Sequence, residues 1–296
     1  MKNIVENKSI NIRDIQIRDP FILNDKENNE FVLYGTTDKD PWNTGEGFLA
    51  YRSHDLEVWK GPYEVFEKTD TFWGVKNFWA PEVWYYKNKY YMFATFCSKE
   101  GKRGTQILVS NSPVGKFKPH SEKMITPETW MCLDGTLHVD QTNTPWLVFC
   151  REWTEVHDGR IYAVQLSEDL TCTVGEPTLL FNASDAAWPT SIDEAGKDFI
   201  TDGPFLTTSE NGALNLLWSS SSNGKYSVGQ AISYNGSILG PWVHLDEPLL
   251  DEDAGHCMIF DSGRGKYLVA HAPNDTPNER VTLFEVLLQK GEMKLK

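Results

Sequence analysis

Three aspartates carry the first suggestion of chemistry in this sequence: Asp19 in Arg18-Asp19-Pro20, Asp134 in Asp134-Gly135-Thr136 and Asp202 in Asp202-Gly203-Pro204. Carboxylates held close together raise one another's proton affinity. A site with three can therefore keep one ionised and another protonated at a single pH, the condition for general acid–base work. Singly, an Asp before Pro or Gly is ordinary turn chemistry. The chemical reading depends on a fold that gathers residues more than a hundred positions apart.

The elements that would do so are strands. Short alternating apolar runs, rich in aromatic and β-branched residues and bounded by Gly, Pro, Asn or Asp, recur along the chain. Examples are Phe31–Tyr34, Tyr90–Ala94, Trp146–Phe149, Leu214–Trp218 and Tyr267–Ala270. No long stretch has helical periodicity. Each run follows an opener (Asp19, Ala80, Asp134, Asp202 or Gly255), and the openers lie roughly 53–68 residues apart. A third strand follows, often carrying Ser, and then a turn with an aromatic edge such as Leu56–Trp59 or Gly240–Trp242. Four strands per unit at this spacing predict an all-β, five-bladed β-propeller, a single domain over residues 1–296. In a propeller the first strand of each blade lines the axis, so the openers converge at one mouth of the channel.

Composition narrows the partners. The chain has 296 residues, 28 Lys and Arg against 42 Asp and Glu, and a net charge of −14. Such a surface repels phosphate backbones and anionic lipid, which argues against nucleic acid and membrane as partners. No apolar run approaches the ~20 residues of a membrane span, and no obligate protein partner is evident. The five cysteines, Cys97, Cys132, Cys150, Cys172 and Cys257, are odd in number and unpaired in spacing. They read as buried apolar residues of a reduced compartment. Residues Met1–Asn7 lack an apolar leader core, so a cytoplasmic protein is expected, the alternative being an exported one whose leader is missing here. The 11 Trp supply flat faces for core packing or for stacking on sugar rings. G-x-S-x-G, H-E-x-x-H, P-loop and G-x-G-x-x-G patterns do not occur.

The ordered set Arg18-Asp19-Pro20, Trp79-Ala80-Pro81-Glu82, Leu133–Leu137, Thr201–Pro204 and Gly255–Met258 resembles the blade starts of glycoside hydrolase family 43, over residues 15 to 290. That resemblance implies five-bladed propeller glycosidases acting by inversion, with two carboxyls roughly 6.5–9.5 Å apart. Asp19 matches the general base, with Arg18 as a neighbouring cation. Asp134 matches the aspartate that orients the acid and tunes its proton affinity. The acid in most of the family is a Glu in Glu-Gly-Pro; here Asp202 occupies that position, and Glu152 in Arg151-Glu152-Trp153 is the reserve candidate. His256 matches a histidine that often faces a channel ion, so a structural Ca2+ is possible although no cofactor is required.

Trp42, Trp73, Phe78, Trp79 and Trp153 are the expected stacking residues, because they fall on loops or strand ends near the mouth. The substrate is expected to be an oligosaccharide or polysaccharide of arabinose, xylose or galactose. An α-L-arabinofuranosidase is the first choice; a β-xylosidase, a β-galactosidase or a catalytically silent sugar-binding propeller are the alternatives. The retaining fructosidase type (family 32) also carries Arg-Asp-Pro, but its Trp-x-Asn-Asp-Pro-like motif is missing.

Overall fold

The computed structural model describes residues 8–289 and 291–296. Residues 1–7, read above for a leader, and residue 290 lie outside the described residues. Among the described residues, the strands make five antiparallel sheets of four or five strands, each built from consecutive stretches of chain. The innermost strands are Arg18–Asp25, Gly74–Tyr86, Cys132–Val139, Asp202–Thr208 and Gly255–Asp261. Each packs against the next, and the fifth packs back on the first, closing a ring of five blades. The first blade gains an extra outer strand, Lys8–Asn11, paired with Val58–Glu67.

Local chemistry explains the hairpins. Asn223 and Gly224, both at positive φ, join Leu214–Ser222 to Lys225–Ser233 in a two-residue turn whose twist matches the strands. The serines that end the third strands build the turn into the fourth. Ser53 Oγ donates to the Val58 carbonyl at 2.8 Å, and Ser233 Oγ to the Ser237 carbonyl at 2.7 Å. The aromatic edges then seal the blades, with Trp59 Nε1 donating to the Leu56 carbonyl and Trp242 Nε1 to that of Ile238. Trp59 and Trp218 are wholly buried, in two of the three clusters that fill the space between sheets.

Each innermost strand is bulged, four of them near the start and Gly74–Tyr86 in its middle. Register breaks between Arg18 and Phe21, Trp79 and Glu82, Leu133 and Thr136, Asp202 and Phe205, and Gly255 and Met258. Inside each bulge one residue takes a left-handed conformation: Asp19 (φ 51°), Ala80 (46°), Asp134 (55°), Gly203 (49°) and His256 (49°). A bulge re-aims its side chain, here toward the axis.

This pattern corrects the phase expected for blades four and five. Gly203, not Asp202, is equivalent to Asp19 and Asp134, and His256, not Gly255, opens the fifth blade. Asp202 stands one residue earlier, level with Arg18 and Leu133. Glycine suits position 203 on a second count: a Cβ there would meet the His256 ring at 2.8 Å.

Candidate active site

A cavity of about 600 Å³ opens where the innermost strands begin. Arg18, Asp19, Trp42, Trp79, Asp134, Glu152, Trp153, Asp202 and His256 line it, together with Arg103, Tyr226 and the Asn274–Thr276 loop. Residues from all five blades thus meet in one place, as the propeller reading required.

Asp19 is surrounded by groups that favour its charge. Thr36 Oγ1 donates to its Oδ2 at 2.6 Å, and the His256 Nδ1 atom lies 3.3 Å from its Oδ1. Burial alone would raise its proton affinity. His256, Arg18, His271 and the Thr36 hydroxyl outweigh that and hold the carboxyl below its ordinary range. Burial also pushes both imidazoles down, His271 to about 4. Arg18 is therefore the cation that remains beside Asp19 at neutral pH. His271 Nδ1 accepts the Asp19 backbone N–H at 3.1 Å, which places its proton on Nε2, facing Asn274 Oδ1.

Asp202 has the opposite surroundings. It is pushed up to about 7, chiefly by burial and then by the neighbouring Glu152 carboxylate, with the Tyr226 hydroxyl donating to its Oδ2 at 3.2 Å. Asp134 is also raised, by burial and by Asp202 and Asp19; the Gly203 N–H at 2.9 Å from its Oδ2 is the counterweight that favours its charge. The Asp202 charge raises the proton affinity of Asp134, so the two carboxyls do not titrate independently.

Glu152 is ion-paired with Arg103, whose guanidinium also lies 4.6 Å from the centre of the Trp79 ring. Trp42, half exposed, meets Trp79 edge to face at 5.2 Å and stacks under the Arg18 guanidinium. Trp153 begins a short helical turn, Trp153–Val156, on the blade-three side.

Two expected stacking residues do not reach the cavity. Phe78 is fully buried among Phe48, Phe66, Phe72 and Phe96. Trp73 packs on that cluster and donates its N–H to Gln106 at 2.7 Å. Both lie on the inter-blade side of the second blade, where the core takes aromatic residues. The cysteine reading also needs correction at one position: all five are free thiols, but Cys172 is exposed, in the turn before Thr173–Asn182.

The family model described as glycosyl hydrolases family 43 matches residues 12–294. The chain belongs to that family. A solved structure of an endo-arabinase from Bacteroides thetaiotaomicron VPI-5482 is 43% identical, with 96% of this chain and 98% of that one covered and a TM-score of 0.88. An endo-1,4-beta-xylanase structure from the same organism is 25% identical over 98% and 97% of the two chains, with a TM-score of 0.78. An extracellular endo-alpha-(1->5)-L-arabinanase of Bacillus subtilis (strain 168) is 22% identical, covering 75% of this chain and 78% of its own.

As a family 43 glycoside hydrolase, the protein acts on O-glycosyl bonds, and the cavity holds what that chemistry requires: a carboxylate beside a cation and a carboxyl kept protonated. The expected channel ion finds little protein to bind it. His256 turns Nδ1 toward Asp19 and Asp134, 3.3 and 3.7 Å from their oxygens, which leaves Nε2 as the nitrogen an ion would use. Among the described residues no group of three or more His, Cys, Asp or Glu is arranged to hold a metal. Calcium favours six to eight oxygens, so an ion beside His256 would take most of its ligands from water, and no step here is routed through it. Sequence reasoning missed Arg103, Tyr226, His271 and Glu279, which lie in second or third strands or the loops between them, where no repeated motif marked them.

Proposed function

We propose that the protein hydrolyses α-L-arabinofuranosyl linkages of arabinan-type oligosaccharides with inversion, Asp19 acting as base and Asp202 as acid. The observation that carries this reading is the opposed setting of two carboxyls in one cavity: Asp19 beside Arg18, Asp202 beside Glu152. Asp19 takes a proton from water as that water attacks the anomeric carbon. Asp202 gives its proton to the departing glycosidic oxygen, and the ring passes through an oxocarbenium-like state. The Gly203 N–H favours the charged form of Asp134, and a charged Asp134 would in turn favour the proton on Asp202. Trp42 and Trp79 offer faces for the sugar rings. The choice of arabinose is supported by two relatives named for arabinan cleavage.

The test is hydrolysis of linear arabinan and of p-nitrophenyl α-L-arabinofuranoside, β-D-xyloside and β-D-galactoside by wild type and Asp19→Ala. NMR of the first-formed anomer reads the stereochemistry. Arabinose-specific release that is lost in Asp19→Ala, with the inverted anomer formed first, is the expected result. Retention would remove Asp19 as base. Silence across the panel, with sugar binding intact, would leave a binding propeller.

A further inference from the structure

One repeated hydrogen bond ties the five left-handed residues into a ring, and one blade breaks the repeat. In every blade the second strand places a residue in register with the one just before the left-handed position. These are Thr36 opposite Arg18, Thr95 opposite Trp79, Cys150 opposite Leu133, Ser219 opposite Asp202 and His271 opposite Gly255. Four of the five accept the backbone N–H of the next blade's left-handed residue. Ala80 donates to Thr36 Oγ1 at 2.9 Å, Asp134 to Thr95 Oγ1 at 2.9 Å, His256 to Ser219 Oγ at 2.8 Å and Asp19 to His271 Nδ1 at 3.1 Å. The fifth bond would run from Gly203 to residue 150. A thiol sulfur is a weak acceptor, and the Gly203 N–H goes instead to Asp134 Oδ2.

We propose that Cys150 is a positioning residue of this active site: by placing no strong acceptor where the other blades hold a hydroxyl or an imidazole, it leaves the Gly203 N–H to orient Asp134 and stabilise its charge. Thr36 shows what a hydroxyl at this register does, since it accepts the Ala80 N–H and donates its own proton to Asp19. At position 150 an added hydroxyl would stand between Gly203 and Asp134 in the same way. Its proton would have a second acceptor in Thr201 Oγ1, a buried hydroxyl within reach of the thiol. Asp134 would then exchange a fixed amide donor for a rotatable one. Asp134 would lose the donor that favours its charge and hold its proton more tightly, and Asp202, beside a less charged neighbour, would ionise at lower pH. The catalytic consequence rests on the hydrolytic reading above; the hydrogen bond does not.

The experiment therefore has a readout apart from activity. Labelling Asp carbonyls with 13C and Gly amides with 15N selects the three Asp-Gly pairs of the chain, at Gly135, Gly159 and Gly203. In the wild type the Gly203 amide should move with pH as Asp134 titrates. In Cys150→Ser, a near-isosteric change, that response should disappear. The basic limb of kcat/KM should fall to lower pH, and kcat should drop about tenfold with KM within about twofold. Cys150→Ala adds no acceptor and should keep both the amide response and the wild-type pH profile. The proposal is overturned if the Gly203 amide still follows the titration in Cys150→Ser, or if Cys150→Ala moves the profile as far as Cys150→Ser does. Absence of hydrolysis in every variant would defeat the hydrolytic reading while the amide response still decided the role of Cys150.

Discussion

Arg18 Nη1 donates at 2.8 Å to Glu279 Oε1, a carboxylate with no exposed surface that lies 261 residues further along the chain. The pair crosses the seam where the first blade meets the fifth, so a single contact both closes the ring and aims the guanidinium that stands beside Asp19. Burial opposes the charge on Glu279, but Thr276 and Arg18 hold its proton affinity below the ordinary value. Removing one partner of a buried ion pair costs about 3–5 kcal/mol, so Glu279→Ala should lower unfolding free energy by that order at pH 7. The native carboxyl is the more acidic one, so its contribution is present above the unfolded value of 4.5 and lost as pH falls through its lower native value. Urea denaturation of both proteins should show the difference shrinking on acidification; a pH-independent difference would mean that the ion pair is not its source.

Activity should be confined to the acid side of neutrality. Asp19 is ionised below the usual carboxylate range, while Asp202 loses its proton near 7. The kcat/KM profile should therefore fall above about pH 7 and hold down to acid values. Glu152 acts on that limb through space, because its charge helps keep the proton on Asp202. Glu152→Gln should move the basic limb to lower pH, with turnover largely retained below it. Asp202→Asn should cut hydrolysis of arabino-oligosaccharides about 100-fold or more, and that of aryl glycosides much less, because a nitrophenolate departs without a proton. If Glu152→Gln rather than Asp202→Asn shows that leaving-group dependence, Glu152 is the acid.

The blade count and the convergence of carboxylates were legible because both rest on chain-local chemistry. Strand alternation and Ser-containing turns repeat in the sequence as they do in the fold. The phase was misread at blade four because Asp was taken as the marker, and at blade five because Gly255-His256-Cys257 holds neither Asp nor Pro to mark it. The backbone marks it differently: Asp19, Ala80 and Gly203 each precede a proline, and that proline was the available signal. Arg103 and Tyr226 could not be found this way. Their place in the cavity depends on how far a third strand's side chain reaches across a neighbouring blade, which no local pattern records. Phe78 was misplaced for a related reason: a bulged strand turns successive residues to different sides, and the residue beside Trp79 faces the core.

That contrast between neighbours is measurable. Trp42 and Trp79 form an edge-to-face pair on the cavity wall, whereas Phe78 is fully buried and packs on core rings. Aromatic contacts of this kind are worth about 0.5–1.5 kcal/mol, so Trp42→Ala should raise KM for oligosaccharides by about 2–10-fold with little change in Tm. Phe78→Ala should cost about 3–5 kcal/mol of stability through the cavity it leaves, with KM unchanged in the folded fraction. Equal effects of the two substitutions on KM would mean that Phe78 reaches the sugar after all.

Glu82 is a buried carboxyl that the proposed reaction does not use. Its Oε2 accepts from Thr136 Oγ1 at 2.6 Å and from Trp84 Nε1 at 3.1 Å, yet burial outweighs both bonds and pushes it up to about 8. At neutral pH the folded protein therefore carries it protonated, whereas the unfolded chain ionises it near 4.5. A raised carboxyl stabilises nothing below 4.5 and costs progressively more as pH rises toward 8, on the order of 3 kcal/mol at pH 7. Glu82→Gln keeps an acceptor for Thr136 and Trp84 and removes the titration. It should match the wild type at pH 4.5, be more stable at pH 7.5, and show a flatter dependence between. Urea midpoints at the two pH values test this, and a variant less stable than wild type at pH 7.5 would mean that Glu82 is charged in the folded protein.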